Sequence, residues 1–125
     1  MRIVIIAESA FLRTSLRVNL SPAGHRVVEV EPGSLLHILE VLRAHRPGLA
    51  IVDLDLAEYC CAETLVRAIR EDPVLARTPL VALYSAESEA ILSRVWHWGL
   101  IDCFLKPFHA DAVVALLNAR FVRTG

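Results

Sequence analysis

The sequence predicts an α/β fold: a five-stranded parallel sheet with helices on both faces. Two observations carry that expectation. Short β-like runs alternate five times with amphipathic helical stretches, the pattern of a parallel sheet wrapped by its crossover helices. The central runs, RIVIIA after its opening arginine and LAIV, are apolar instead of alternating, as strands buried on both faces must be. A hydrophobic content of 55% and a mean hydropathy of +0.50 agree with such burial.

RIVIIA (2–7) is the first strand. FLRTSLRVNL follows with Leu12, Leu16 and Leu20 on one helical face. SPAGH breaks the chain. RVVEV (26–30) is β-branched and forms the second strand. Gly33-Ser34 opens a helix in which Leu35, Ile38, Leu39 and Leu42 recur at i, i+3, i+4 and i+7, and RPG ends it. LAIVD (49–53) is the third strand. Ala62, Leu65, Val66 and Ile69 form the next helical stripe, and EDPVLARTP (71–79) is a connector. LVALYS (80–85) is the fourth strand, and residues 86–98 read as a helix closed by Gly99. DCFLK (102–106) is the fifth strand, and ADAVVALLNARFV (110–122) is the last helix, with Val113, Leu116 and Leu117 facing inward.

A chain of 125 residues fits one domain, 1–125. The net charge is −1 and no basic stripe stands out, which disfavours nucleic-acid binding. No apolar stretch approaches the ~20 residues of a membrane helix. The start, MRIVIIAES, does not read as a signal peptide, because Glu8 interrupts a short apolar run. A cytoplasmic location is the expectation. The three cysteines, Cys60, Cys61 and Cys103, are odd in number and irregularly spaced, so no disulfide framework is expected. Cys60-Cys61 reads as neighbouring thiols rather than a redox or metal pair, and no histidine cluster completes a zinc site.

Chemistry in doubly wound folds sits beyond the carboxyl ends of the strands. That rule selects Ala7, Glu8, Asp53, Asp55, Ser85 and Lys106. An aspartate carboxylate can attack a phosphoryl group and form an acyl phosphate. Such transfer needs charge neutralisation, which Mg²⁺ and a lysine supply, while a hydroxyl holds a phosphoryl oxygen. Mg²⁺ takes oxygen ligands, commonly one or two carboxylates plus waters. Asp53 and Glu8 are the candidate carboxylates, with a backbone carbonyl near Asp55. Each residue also has a bland reading. Asp53 suits a turn, Ser85 suits the N-cap of the helix at 86–98, and Lys106 before Pro107 suits a solvated turn. Four suitable groups at successive strand ends, in order, outweigh those readings.

With these residues in view, the chain resembles the receiver domain of bacterial two-component response regulators, from RIVIIAESAFLRTSL to ALLNARF. RPGLAIVDLDL resembles the pattern around the phosphoacceptor and places it at Asp53. ARTPLVALYSA resembles the fourth strand with its hydroxyl, Ser85, and GLIDCFLKPF the fifth-strand motif with Lys106. The resemblance implies a flavodoxin-like strand order 2-1-3-4-5 and a Lys106–Pro107 bond that is often cis. It also implies Mg²⁺ held by Glu8, Asp53 and the Asp55 backbone carbonyl. Phosphotransfer would come from a histidine kinase or phosphotransfer protein. An effector protein or a fused output domain would receive the signal.

The departures are as informative. Receivers usually end the first strand with two acids, and here those positions hold Ala7 and Glu8. One metal-site carboxylate is therefore missing, and Glu8 is one methylene longer than aspartate. Cys103 stands where an aromatic switch residue is typical, and Phe104 next to it points to the other face. Ala57 stands where a proline is common, and EYCC follows without glycine. In the helix that carries SRVWHWGL (93–100), Ile91, Val95 and Trp98 share a buried face, while Trp96 falls on another and suits partner or homodimer contacts through residues 86–122. His97 reads as a surface residue.

Two other readings compete. A degenerate receiver would fold and bind partners without phosphorylation. AIVDLDLA also resembles the first motif of haloacid-dehalogenase-type phosphohydrolases. That family needs an acidic pair after the lysine strand, where only Asp111 follows here, and its first motif usually opens the fold. NARFVRTG suits a terminus or the start of a linker, so the chain is expected to be either a single-domain regulator or a receiver from a larger protein.

Overall fold

The computed structural model describes residues 1–56 and 61–121. Ala57, the Glu58–Cys60 stretch and Val122 onward lie outside the described residues, and with them the expectations about the Ala57 loop, Cys60 and the end of NARFVRTG.

Five strands form one parallel sheet in the order β2-β1-β3-β4-β5. They are β1 Arg2–Ile6, β2 Arg26–Val30, β3 Leu49–Asp53, β4 Leu80–Tyr84 and β5 Leu100–Leu105. The helices are α1 Ala10–Leu20, α2 Leu35–His45, α3 Ala62–Glu71, α4 Glu89–Val95 and α5 Ala110–Arg120. This is the flavodoxin-like arrangement that the resemblance implied.

Strand alternation divides the core in two. Val4, Ile6, Ala50, Val52, Leu80 and Ala82 face one side, where α2, α3 and α4 supply Ile38, Leu42, Leu65, Ile69 and Val95. Ile3, Ile5, Leu49, Ile51, Val81 and Leu83 face the other, against Leu16 and Leu20 of α1 and Val113 and Leu117 of α5. All five residues of β3 are buried, which explains its unbroken apolar run up to Asp53. The inward positions of α3 are likewise buried, and truncating one, such as Leu65→Ala, costs about 2–5 kcal/mol.

Local chemistry sets the helix ends. The Ser9 and Ser34 hydroxyls accept from the N–H groups of Leu12 and His37, both at 3.1 Å, and start α1 and α2. Gly24 at φ +94° ends the single 3₁₀ turn after α1. Arg46 at φ +43° is a left-handed C-cap for α2, a conformation that RPG did not reveal.

β1 and β4 each end one residue sooner than expected, at Ile6 and Tyr84, and three later elements differ more. The helix expected over 86–98 is divided: a 3₁₀ turn at Ala86–Ser88, α4 at Glu89–Val95, and a second 3₁₀ turn at Trp96–Trp98. Serine, tryptophan and histidine are weaker helix formers than alanine or leucine, and the left-handed Gly99 at φ +82° tightens the end. β5 starts two residues earlier than DCFLK and stops before Lys106. Its register against β4 shifts after Leu80, which pairs with Leu100 while Val81 pairs with Asp102. α5 stops at Arg120.

Arg70, at the end of α3, anchors this edge. Its guanidinium donates to the carbonyls of Trp98 at 2.6 Å, Thr78 at 2.7 Å, Ala76 at 3.2 Å and Gly99 at 3.3 Å. One side chain thereby ties together four carbonyls of the turns that lead into β4 and β5. Burial lowers the guanidinium's pKa from its ordinary value.

Candidate phosphoacceptor site

The same alternation that sorts the core decides which strand-end side chains meet. Ile3 and Ile5, Leu49 and Ile51, Val81 and Leu83, and Phe104 all face the α1–α5 side. Two residues further along each strand, that face is continued by Ala7, Asp53, Ser85 and Lys106. Four separate strands thus deliver one position each to the same side of the sheet's carboxyl edge.

Three of the four make contacts there. Asp53 is 4% exposed. Its Oδ1 accepts from Lys106 Nζ at 2.7 Å and from the Asp55 N–H at 3.0 Å, and its Oδ2 accepts from Lys106 Nζ at 2.8 Å. Lys106 also donates to Asp55 Oδ2 at 3.0 Å. Ser85 occupies the N-cap position of the Ala86–Ser88 turn, and its hydroxyl donates to Asp55 Oδ1 at 2.8 Å. The Ser85 backbone is held in turn, because its N–H donates to Ser88 Oγ at 2.9 Å. The Lys106–Pro107 peptide is cis.

The resemblance gives Asp55 a role through its backbone carbonyl; the structure shows in addition that its carboxylate joins Ser85 and Lys106 directly. The signal was present in the Asp-x-Asp spacing, since i and i+2 share a side of an extended chain. Burial opposes ionisation of Asp55. Hydrogen bonds from Lys106, Ser88 and Ser85, with the lysine's charge, outweigh it and hold the carboxyl below its usual range. Burial likewise opposes the Lys106 charge, and the two carboxylates outweigh it, raising that pKa.

The first strand contributes differently. Ala7 is fully buried and packs into the α1–α5 core. Glu8 is exposed. Arg13, which sequence reasoning did not single out, donates to the carbonyls of Ala7 at 2.6 Å and Glu8 at 3.0 Å and fixes this turn. Cys103 packs on the opposite core, while Phe104 faces α1–α5, where its ring centroid lies 5.9 Å from that of Phe108. Burial and the Asp102 charge push the Cys103 thiol up, away from reactivity. Trp96 is 48% exposed, whereas Val95 is buried and Ile91 and Trp98 are partly so.

Among the described residues, no three His, Cys, Asp or Glu side chains are grouped to hold a metal. The donor chemistry nevertheless suits Mg²⁺. Two carboxylates face one ammonium, leaving a net negative charge of hard oxygen donors, and Mg²⁺ commonly needs only one or two carboxylates beside water. No helix among the described residues is long and apolar enough to cross a membrane.

A doubly wound sheet with an aspartate, a hydroxyl and a lysine at the ends of β3, β4 and β5 is the architecture of a receiver-type signalling domain. Comparison with known proteins agrees. The chain is 33% identical over 119 residues to the virulence transcriptional regulatory protein PhoP of Shigella flexneri, covering 95% of this chain and 51% of that protein. The chain therefore spans about half the length of the curated relatives it matches. It superposes on the chemotaxis response regulator CheY4 of Vibrio cholerae with a TM-score of 0.81 at 19% identity, over 94% of this chain and 96% of that one. The receiver domain of the sensor histidine kinase PA1611 from Pseudomonas aeruginosa gives a TM-score of 0.79 at 19% identity, over 94% of both chains. That structure has a magnesium ion coordinated in its active-site cleft. No family model matches the chain. The chain belongs to the receiver domains of two-component response regulators, signalling modules and not enzymes. That membership overturns the phosphohydrolase reading of AIVDLDLA: the Asp-x-Asp motif sits on the third strand of a receiver sheet.

Proposed function

We infer that this receiver accepts a phosphoryl group on Asp53 and signals by altered protein–protein contacts. The observation that carries the reading is the contact of Lys106 Nζ with both Asp53 oxygens, at 2.7 and 2.8 Å. A cation so placed orients the carboxylate and balances its negative charge. It also stands where charge develops as a phosphoryl group arrives.

The donor is a phosphohistidine on a histidine kinase or phosphotransfer protein. Asp53 Oδ2, which accepts only from Lys106 among the hydrogen bonds described, attacks phosphorus. The new P–O bond makes an acyl phosphate. The P–N bond breaks, its electron pair stays on the imidazole, and that ring takes a proton from water. Lys106 then pairs with a phosphoryl oxygen, and the Ser85 hydroxyl donates to another. Glu8 and Asp53, with the Asp55 backbone carbonyl, would hold Mg²⁺, which neutralises phosphoryl oxygens when bound. Residues 1–125 act as one domain in the cytoplasm, alone or fused to an output domain. The exposed Trp96 and Leu105, 48% and 52% accessible, favour an effector or homodimer surface within residues 86–122.

A second reading, a receiver that works without phosphorylation, is favoured by one observation: Ala7 is buried apolar surface where an acid would stand. One experiment separates the two. Incubation with acetyl phosphate and Mg²⁺ should add one phosphoryl mass, and Asp53→Asn should abolish it. No gain at high Mg²⁺ selects the second reading.

A further inference from the structure

The site contains one carboxylate more than phosphoryl transfer to Asp53 requires. Asp55 is a side chain with two anionic oxygens, and each is committed. Oδ1 accepts from Ser85 Oγ at 2.8 Å, and Oδ2 accepts from Lys106 Nζ at 3.0 Å. These are the two donors, a hydroxyl and an ammonium, that the oxygens of a phosphoryl group on Asp53 would use. A serine hydroxyl has a single proton to donate. Ser85 therefore cannot serve Asp55 and a phosphoryl oxygen at once. Carboxylate and phosphoryl oxygens make the same kind of charge-assisted bond with such donors.

We propose that the Asp55 carboxylate is a resident stand-in for the phosphoryl group, holding Ser85 and Lys106 in their engaged positions while Asp53 is unmodified. The inference rests on the reading of Asp53 as acceptor. Asp55 is here a positioning residue with two effects. It orders the Ser85 side chain, and through Ser85 the Ala86–Ser88 turn that leads into α4, without any donor. It also opposes phosphorylation, because the incoming group must take both donors from it and then sit beside its negative charge.

The test compares the 125-residue chain with Asp55→Asn, which removes the charge at constant shape, and Asp55→Ala, which removes both acceptors. Two readouts are taken. The Ser85 rotamer comes from Hα–Hβ couplings without any phosphodonor, and the rate of phosphoryl gain from acetyl phosphate with Mg²⁺ comes from mass spectrometry. Circular dichroism checks that each variant is folded. The expected results are one Ser85 rotamer in the parent chain, averaging in Asp55→Ala, and labelling about tenfold faster in both variants, the scale of one lost charge-assisted hydrogen bond. An unchanged single rotamer in Asp55→Ala overturns the stand-in, as does labelling no faster than the parent's. If the parent labels and the variants gain nothing, the acceptor reading survives and the stand-in fails. If none of the three gains phosphoryl, the acceptor reading fails, and the Ser85 rotamer alone decides whether Asp55 holds that side chain.

Discussion

Lys106 Nζ sits 2.7 Å from Asp53 Oδ1 and 2.8 Å from Oδ2, so a cation from the end of β5 neutralises a 4% exposed carboxylate at the end of β3. Removing the cation leaves that charge buried and without its ammonium partner. Lys106→Ala should therefore cost about 3 kcal/mol of stability in urea denaturation. The double variant with Asp53→Asn should recover much of the loss, since the orphaned charge is then gone. A double variant no more stable than Lys106→Ala would contradict this account of the pair.

Ala7 lies on the same face as Asp53, since Ile5 pairs with Ile51 and each site residue follows two positions later. Ala7→Asp should place a second carboxylate beside the first. Without a divalent ion the variant should lose about 1–3 kcal/mol, through burial and like-charge repulsion. Millimolar Mg²⁺ should return part of it. Thermal melts with and without MgCl₂ measure both effects, and a melting point indifferent to Mg²⁺ in the variant would refute the pairing.

Asp72 predicts the acid limb of stability. The hydrogen bond from Arg43 Nε at 2.6 Å is the leading cause, burial opposes it, and the Val74 and Leu75 amides add, so the carboxyl lies below its ordinary range. The folded chain thus binds this proton less readily than the unfolded chain. Its contribution is complete above the unfolded pKa of about 4 and is lost as pH falls through the lowered folded value. Asp72→Asn should be less stable than the parent at pH 6, and the gap should narrow below pH 4. Urea midpoints across pH 2–6 give the comparison, and a constant gap would exclude Asp72 as a source of the acid limb.

Arg46 caps α2 at φ +43°, donating its N–H to the Leu42 carbonyl at 2.8 Å. Non-glycine residues pay roughly 1–2 kcal/mol for that conformation, while glycine costs unfolded-state entropy. Arg46→Gly should leave a net gain of up to about 1 kcal/mol, a rise of a few degrees in melting temperature for a domain of this size. A lower melting temperature would mean that the arginine side chain contributes more than its backbone costs.

Much of this architecture is legible in the linear pattern. The unbroken apolar run of β3 requires burial on both faces, and its first polar residue has to fall at the strand's end, which locates Asp53. The α3 stripe of Ala62, Leu65, Val66 and Ile69 is buried as its spacing demands. Less legible is the region after β4, where Ser88, Trp96 and Gly99 divide an expected helix into three short pieces. Nothing in the linear pattern singles out Arg70 or Arg13, because the carbonyls they bind are distant in sequence or belong to turns.

The sequence by itself determined the parallel sheet, its doubly buried centre and the strand ends that carry Asp53, Ser85 and Lys106. Hydrophobic periodicity and turn residues are local properties, and they suffice for those conclusions. Only the tertiary structure decided which of these groups touch. Lys106 bridges Asp53 and Asp55 across 53 and 51 residues of chain. Ser85 turns to Asp55 across 30 residues. Such choices depend on competition among a few donors and acceptors within about 3 Å, a balance that appears once the strands have closed into one sheet.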